Sequence, residues 1–252
     1  MPPQFISLGP FSANIYAALA GLGGVAALAW AWWQLRDANV LNTFLVIGIC
    51  AALAGRLGYL AIYQPPNGEP GLQAHAALLG GWLAHTVVCR INRPALPTLP
   101  VSSLITLASL IGIGASIGCI PNGCGYGREV FWADGGDLTL AWAVRVDWPD
   151  AYTLQNPRLP TQLFATGGLL VLMGLAVWGL RRLHLRPQMV GLAWLAACCA
   201  GDFWLQGLRA DAMPVWQGLR AEQWLDGAVL VIALALMLYD LWNIRVKQQA
   251  YN

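Results

Sequence analysis

Long apolar runs alternate with short polar connections along this chain. Seven runs rich in Leu, Ala, Gly, Val and Ile stand out, at about 13–33, 40–63, 71–89, 101–120, 162–180, 188–207 and 224–242. Each is close to or above the roughly 18 apolar residues that cross about 30 Å of hydrocarbon as a helix. The period-two alternation of a barrel strand is missing from them, so the expected elements are helices whose backbone polar groups are bonded internally. The first run begins near Ser12 with no basic region before it and no obvious small-residue cleavage site after it, and is read as a retained span. The expected fold class is an all-α membrane protein of seven transmembrane helices.

The polar connections orient the bundle. Arg36, then Arg90 and Arg93, then Arg181, Arg182 and Arg186, and finally Arg245 and Lys247 fall in alternate connections and the tail. By the positive-inside rule that face is cytoplasmic. Glu69, Glu129, Asp134, Asp137, Asp147, Asp150, Asp211 and Glu222 lie on the other side with the uncharged N-terminal stretch. The N-terminus is therefore expected outside and the C-terminus inside. Connections on the inner side are about ten residues or fewer, whereas 121–161 is an insertion of roughly forty, a length that is usually functional or disordered. Its sequence WADGGDLTLAWAVRVDWPD reads as short strands joined by turns, with Trp132, Trp142 and Trp148 suited to the headgroup level. The domain expectation is one integral membrane domain, 1–252, with 121–161 as an extracytoplasmic head. No internal repeat is visible.

Composition narrows the class further. Of 252 residues, 58% are apolar and only 10% charged, whereas a soluble domain is about a quarter charged. Fourteen Lys and Arg against twelve Asp and Glu give a net charge of +2, which supplies neither a basic nucleic-acid face nor an acidic tail. Disorder is excluded by the same apolar content.

Polar residues at membrane depth carry the candidate chemistry. Arg56, in LAGRLGYLAIY, costs several kcal/mol in the second span unless it faces a wet cavity, snorkels outward, or pairs with an acid such as Asp202. His75, at the outer start of the third span, is either a hydrogen-bonded core histidine or an acceptor for a proton from an incoming thiol or alcohol. His85 reads as a packing residue and His184 as cytosolic decoration. After the fourth span, glycines in GASIGCIPNGCGYGREV break the helix and free backbone N–H groups that could hold an anionic headgroup, with Asn122, Tyr126 and Arg128 as polar handles. Cys119 and Cys124 flank that turn and could form a disulfide on an oxidising side. Cys198 and Cys199 are expected to be buried small hydrophobes, and no metal is expected. Arg158, Thr161 and Gln162 open the fifth span, and Asp202, Gln206, Arg209 and Asp211 close the sixth. Their common level with Arg56, His75, Asn122 and Arg128 suits a phosphate still attached to lipid tails.

In order and topology these segments resemble the prolipoprotein diacylglyceryl transferase family over most of the chain. NIYAALAGLGG is similar to that family's first-span tyrosine motif, GRLGYLAIY to its arginine-bearing second span, and AHAALLGG stands where the family has His-Gly-Gly. IGCIPNGCGYGRE is similar to the signature after the fourth span, RLPTQLF to the glutamine stretch, and FWLQGLRAD to the arginine-bearing stretch before the last span. The resemblance implies His75 and Arg209 as catalytic residues, and Tyr16, Arg56, Asn122, Gly127, Arg128 and Gln162 as substrate-binding residues. It also implies transfer of the diacylglyceryl group of phosphatidylglycerol to the lipobox cysteine thiol of a prolipoprotein signal peptide, in the bacterial inner membrane. Glycerol phosphate is released, and no cofactor or metal takes part. The partners implied are that phospholipid, the signal peptide and membrane lipid, with no nucleic acid. The chain departs from the pattern at Ser116, where the family signature begins with arginine, and at Ala76 and Ala77, where the family has glycines. Serine replaces neither the charge nor the forked donors of a guanidinium. The alternatives are a divergent paralogue with another acceptor, or a non-catalytic protein that binds lipid or signal peptide.

Overall fold

The computed structural model describes residues 5–8, 11–37, 39–63, 73–91, 100–130, 145–147 and 154–251. Helices dominate it: α1 (Ile15–Leu35), α2 (Asn39–Tyr63), α3 (Ala74–Ile91), α4 (Val101–Asn122), α5 (Thr161–Arg182), α6 (Pro187–Leu208) and α7 (Ala221–Tyr251). Two hairpins accompany them, β1 (Phe5–Leu8) with β2 (Phe11–Asn14), and β3 (Val215–Trp216) with β4 (Leu219–Arg220). All seven apolar runs are helical, with edges within a few residues of those read from the pattern except in α7, which runs on to Tyr251. Among the described residues, six helices are long and apolar enough to cross a membrane. The apolar part of α3, Ala74–Val88, is shorter.

Local sequence explains the helix ends. Pro187 opens α6, where its missing N–H is one that has no helical partner anyway. Arg181 and Arg182 close α5, where cations meet the negative end of the helix dipole. Gly123 caps α4 in the left-handed conformation at φ 60°, and its N–H returns to Ile120 O at 3.3 Å. Gln217 and Gly218, both at positive φ, make the two-residue turn between β3 and β4.

Packing follows small residues. α1 lies on α4, α2 on α3, α6 on α7, and α5 against both α4 and α6. Between α1 and α4, Gly23 faces the Leu110 backbone and Gly114 the Leu19 backbone, so a side-chain carbon at either would collide with main chain. Such close approach of helices is how bundles gain contact in lipid, where burial of apolar surface gives no advantage over the acyl chains. α4 is the most enclosed of the six long helices, 28% of its apolar stretch being buried against 6–17% for the other five. Its inward face carries Ser103, Thr106 and Ser109, all buried. Large apolar residues point outward, Leu57, Val171, Val231 and Leu238 among them, as lipid-facing surfaces do.

The β1–β2 hairpin was not expected from the hydropathy pattern, in which this stretch is only the uncharged segment before the first apolar run. Antiparallel pairing from Phe5 with Asn14 to Leu8 with Phe11 accounts for its backbone groups instead. Of the 121–161 insertion, the described parts are 121–130, 145–147 and 154–161; Trp132, Trp142 and Trp148 lie outside the described residues. The described parts carry isolated antiparallel bridges, Glu129 with Arg158 and Val146 with Arg158, which tie the segment after α4 to the one entering α5.

Candidate functional site

The glycine-rich turn after α4 is the scaffold of the site. Gly118 lets α1 approach so closely that a carbon added there would lie 2.8 Å from Tyr16 Cα. One turn on, Asn122 Nδ2 donates to Gly118 O at 2.8 Å. Cys119 and Cys124 are joined in a disulfide, which closes the turn. From the start of α5, Thr161 Oγ1 donates to Gly125 O at 2.5 Å and Gln162 Nε2 donates to Cys124 O at 2.9 Å. The chain leaving the turn pairs with the end of α6: Arg128 N–H donates to Leu208 O at 2.8 Å and Ala210 N–H to Tyr126 O at 2.9 Å, bridging Gly127 to Arg209. Gly127 also abuts Leu159, so only a residue without a side chain fits there.

Arg209 is thereby held beside the turn, with its guanidinium against Gly125. Its Nε and Nη2 donate to the two carboxylate oxygens of Asp211, at 3.1 and 2.5 Å. From β4, Arg220 Nη1 donates to the same carboxylate at 3.0 Å, while its Nη2 donates to the backbone oxygens of Arg209 and Asp211. Two guanidiniums thus share one carboxylate, which leaves a net charge of +1 on a partly buried group, the kind of site that binds phosphate. Burial pushes the Asp211 carboxyl up, but Arg209 and Arg220 outweigh it and leave Asp211 below its ordinary value. Beside this cluster, buried Arg158 pairs with Glu129 at 2.7 Å and stacks over Tyr126 with its central carbon 4.8 Å from the ring centroid.

A second polar cluster begins where β4 enters α7. His75 Nε2 meets Asp226 Oδ1 at 2.8 Å and Nδ1 meets Glu222 Oε2 at 3.1 Å. Glu222 and Asp226 are four residues apart, so one face of α7 presents both to α3. Gln73 Nε2 and the Tyr63 hydroxyl also donate to Glu222. The Cys199 thiol of α6 is buried in the same place, its sulfur within 4.8 Å of the His75 and Asp226 ligand atoms. Glu222 follows Arg220 by two residues, so this cluster and the Arg209 cluster adjoin through the start of α7.

Of the residues singled out from sequence, the structure gathers Asn122, Gly127, Arg128, Gln162 and Arg209 around one turn, with Tyr16 packed against Gly118 of the helix before it. Gln162 is buried, whereas Arg128 is exposed. His75 sits in the adjoining cluster. Arg56 is half-buried on α2, with its guanidinium carbon 5.5 Å from the Tyr59 ring centroid. The bonds of Arg220, Asp226, Tyr63 and Gln73 were not anticipated. Spacing alone marks Asp226, four residues after Glu222, as a second carboxylate on one helix face.

A family model for prolipoprotein diacylglyceryl transferase matches residues 3–239. A relative from Rhodococcus jostii (strain RHA1), named phosphatidylglycerol–prolipoprotein diacylglyceryl transferase, is 27% identical over 262 residues, covering 92% of this chain and 72% of its own length. Proteins of the same name from Staphylococcus aureus, strains bovine RF122 / ET3-1 and MRSA252, are each 22% identical over 263 residues, covering 94% of this chain and 88% of their own.

Proposed function

The chain belongs to the prolipoprotein diacylglyceryl transferase family, and from that premise we propose that it transfers the diacylglyceryl group of phosphatidylglycerol to the cysteine thiol of a lipobox signal peptide. It is a multi-pass membrane protein. We place it in a bacterial inner membrane with seven spans, the N-terminus outside, the C-terminus in the cytoplasm, and the polar clusters at the outer ends of the helices.

The observation that carries the reading is the convergence of the α4 turn and the ends of α5 and α6 on Arg209, with a second cation, Arg220, on the same carboxylate. A phospholipid entering between helices offers its phosphate to this net positive group. The thiol proton passes to the cluster around His75, in which the ring shares protons with Glu222 and Asp226. The thiolate sulfur attacks the phosphate-bearing carbon of the acylated glycerol, a carbon–sulfur bond forms, and that carbon's bond to the phosphate oxygen breaks. Glycerol phosphate leaves as an anion stabilised by Arg209 and Arg220, and the peptide keeps a thioether. Tyr16, Asn122, Gly127, Arg128 and Gln162 shape and bind around the turn, and Arg56 meets the lipid from α2. No cofactor or nucleic acid enters this reading.

A transfer assay tests it. Purified protein, phosphatidylglycerol and a lipobox peptide are incubated and the peptide is weighed by mass spectrometry. Gain of one diacylglyceryl mass on the cysteine, lost in Arg209→Ala and His75→Ala, is the expected result. No gain from folded protein sinks the transferase reading and favours another acceptor or a binding role.

A further inference from the structure

We propose that His75, Cys199 and Asp226 form a binding site for a zinc-class transition-metal ion in the bundle. The three residues lie on α3, α6 and α7, and one ligand atom from each falls within 4.8 Å of the others. A tetrahedral ion with bonds of about 2.0–2.3 Å to nitrogen, oxygen and sulfur needs its ligands roughly 3.3–3.7 Å apart, so adjustments on the order of an ångström close the site. The donor set of imidazole, thiolate and carboxylate suits a borderline-soft cation and not magnesium or calcium, which take oxygen ligands.

Two further observations point to a ligand here. Asp226 is 1% exposed, yet its Oδ2 has no hydrogen-bond partner among the described residues, and an orphaned carboxylate oxygen in a bundle is costly. The His75 ring is also set in a way zinc sites use: Nε2 faces Asp226, while behind it Nδ1 has Glu222 Oε2 at 3.1 Å and the Gln73 amide nitrogen at 2.9 Å. A carboxylate on the far nitrogen fixes the ring and raises its basicity as a ligand. The open coordination position falls to water.

Charge balances in the exchange. The ion displaces the proton between His75 Nε2 and Asp226 and the thiol proton of Cys199, so two protons leave as two positive charges enter. The net charge inside the bundle is unchanged. If His75 also serves in the transfer reaction, metal at this place removes its proton site and inhibits; that consequence rests on the transferase reading, whereas binding does not.

The test therefore reads binding directly. Detergent-purified full-length protein is loaded with zinc chloride, desalted and its metal content measured. A second sample is titrated with cobalt(II), whose charge-transfer absorption in the near ultraviolet reports a thiolate ligand. We expect one equivalent of zinc and a cobalt–thiolate band in the unaltered protein and in Cys198→Ser, the neighbouring thiol outside the group. Cys199→Ser loses the band and Asp226→Asn loses at least tenfold in affinity, while Glu222→Gln loses about 10–100-fold. Monodisperse elution of each variant controls for folding. Absence of stoichiometric zinc from the unaltered protein overturns the proposal, and so does a cobalt band that survives in Cys199→Ser.

Discussion

Asp211→Asn removes the one negative charge that two guanidiniums share, and its cost can be worked from the contacts. The carboxylate accepts from Arg209 Nε at 3.1 Å, Arg209 Nη2 at 2.5 Å and Arg220 Nη1 at 3.0 Å. Asparagine keeps one acceptor oxygen, so at least one charged bond is lost and the two cations are left facing each other. Side-chain exposures of 22% for Arg209, 16% for Asp211 and 14% for Arg220 make the group mostly but not wholly desolvated. The loss should fall at or below the bottom of the range for a broken buried pair, roughly 2–3 kcal/mol. For a chain of this size that is about 5–10 °C in Tm, followed by tryptophan fluorescence during heating in detergent. The sign of the pH dependence follows from the direction of the shift. Burial raises the Asp211 carboxyl and the two arginines lower it further, so its folded value lies below its ordinary one. The stabilisation is present above the ordinary value of about 3.9 and is lost as pH falls through the folded value. The gap in Tm between the unaltered protein and Asp211→Asn should accordingly be full at pH 7 and close as acid is added. Adding Arg220→Gln to Asp211→Asn should recover part of the loss, because one of the two opposed cations is gone. A gap below about 1 °C at pH 7, or one that persists unchanged at pH 3, refutes the shared-carboxylate account.

Three other perturbations probe the turn and its supports. A methyl at Gly127 would lie 2.8 Å from Leu159 Cβ and 3.0 Å from its carbonyl carbon, so Gly127→Ala must part the turn from Leu159 or from Arg209. It should cost about 1–3 kcal/mol in thermal unfolding and lower transfer at least tenfold; a variant unchanged in both would show that the fit is loose. The disulfide spans a sequence separation of five, for which chain entropy assigns roughly 2 kcal/mol, so the paired Cys119→Ser, Cys124→Ser variant should melt about 4–8 °C lower. Dithiothreitol should reproduce that shift in the unaltered protein and do nothing to the double variant. Glu129→Gln takes the carboxylate from Arg158, which is 5% exposed, while Glu129 itself is 29% exposed by side chain. A loss of about 1–2 kcal/mol is expected in the same melts, and none would mean that the Glu129 carboxylate is not what holds Arg158.

The helices were legible because their cause is local: continuous apolar runs of helical length have few other outcomes in a chain this poor in charge. The turn was legible for a similar reason, since Gly123, Gly125 and Gly127 lie within a few residues of the cysteines that close it. What the order of residues does not reveal is which distant side chains meet. Arg220 lies eleven residues from Arg209 and Glu222 147 residues from His75, and both pairings depend on how α6 and α7 return to the bundle. Cys199 reads as a small apolar filler on α6 because nothing in its own segment indicates that α3 and α7 deliver a histidine and a carboxylate to it. The β1–β2 hairpin escaped for the opposite reason: its strands are four residues each, too short for an alternation to stand out.

Ser116 is the departure that most weakens a reading from resemblance alone, and the charge distribution bears on it. A guanidinium missing from α4 is a deficit only if no other element brings one to the anion's place. Arg220 belongs to a hairpin of two-residue strands between α6 and α7, an element with no apolar run to announce it. That hairpin is held by Trp216, whose ring lies 5.5 Å from Trp224 of α7 and whose carbonyl accepts from Trp224 Nε1 at 3.0 Å. It is held also by Gln223, whose Oε1 accepts from Arg220 N–H at 3.0 Å while its Nε2 donates to Phe203 O of α6. The second cation is thus anchored to the same helices that present Arg209 and Glu222. Serine at 116 leaves α4 without that charge but leaves Arg220 in place, so in the proposed reaction the second cation facing the phosphate comes from the α6–α7 connection.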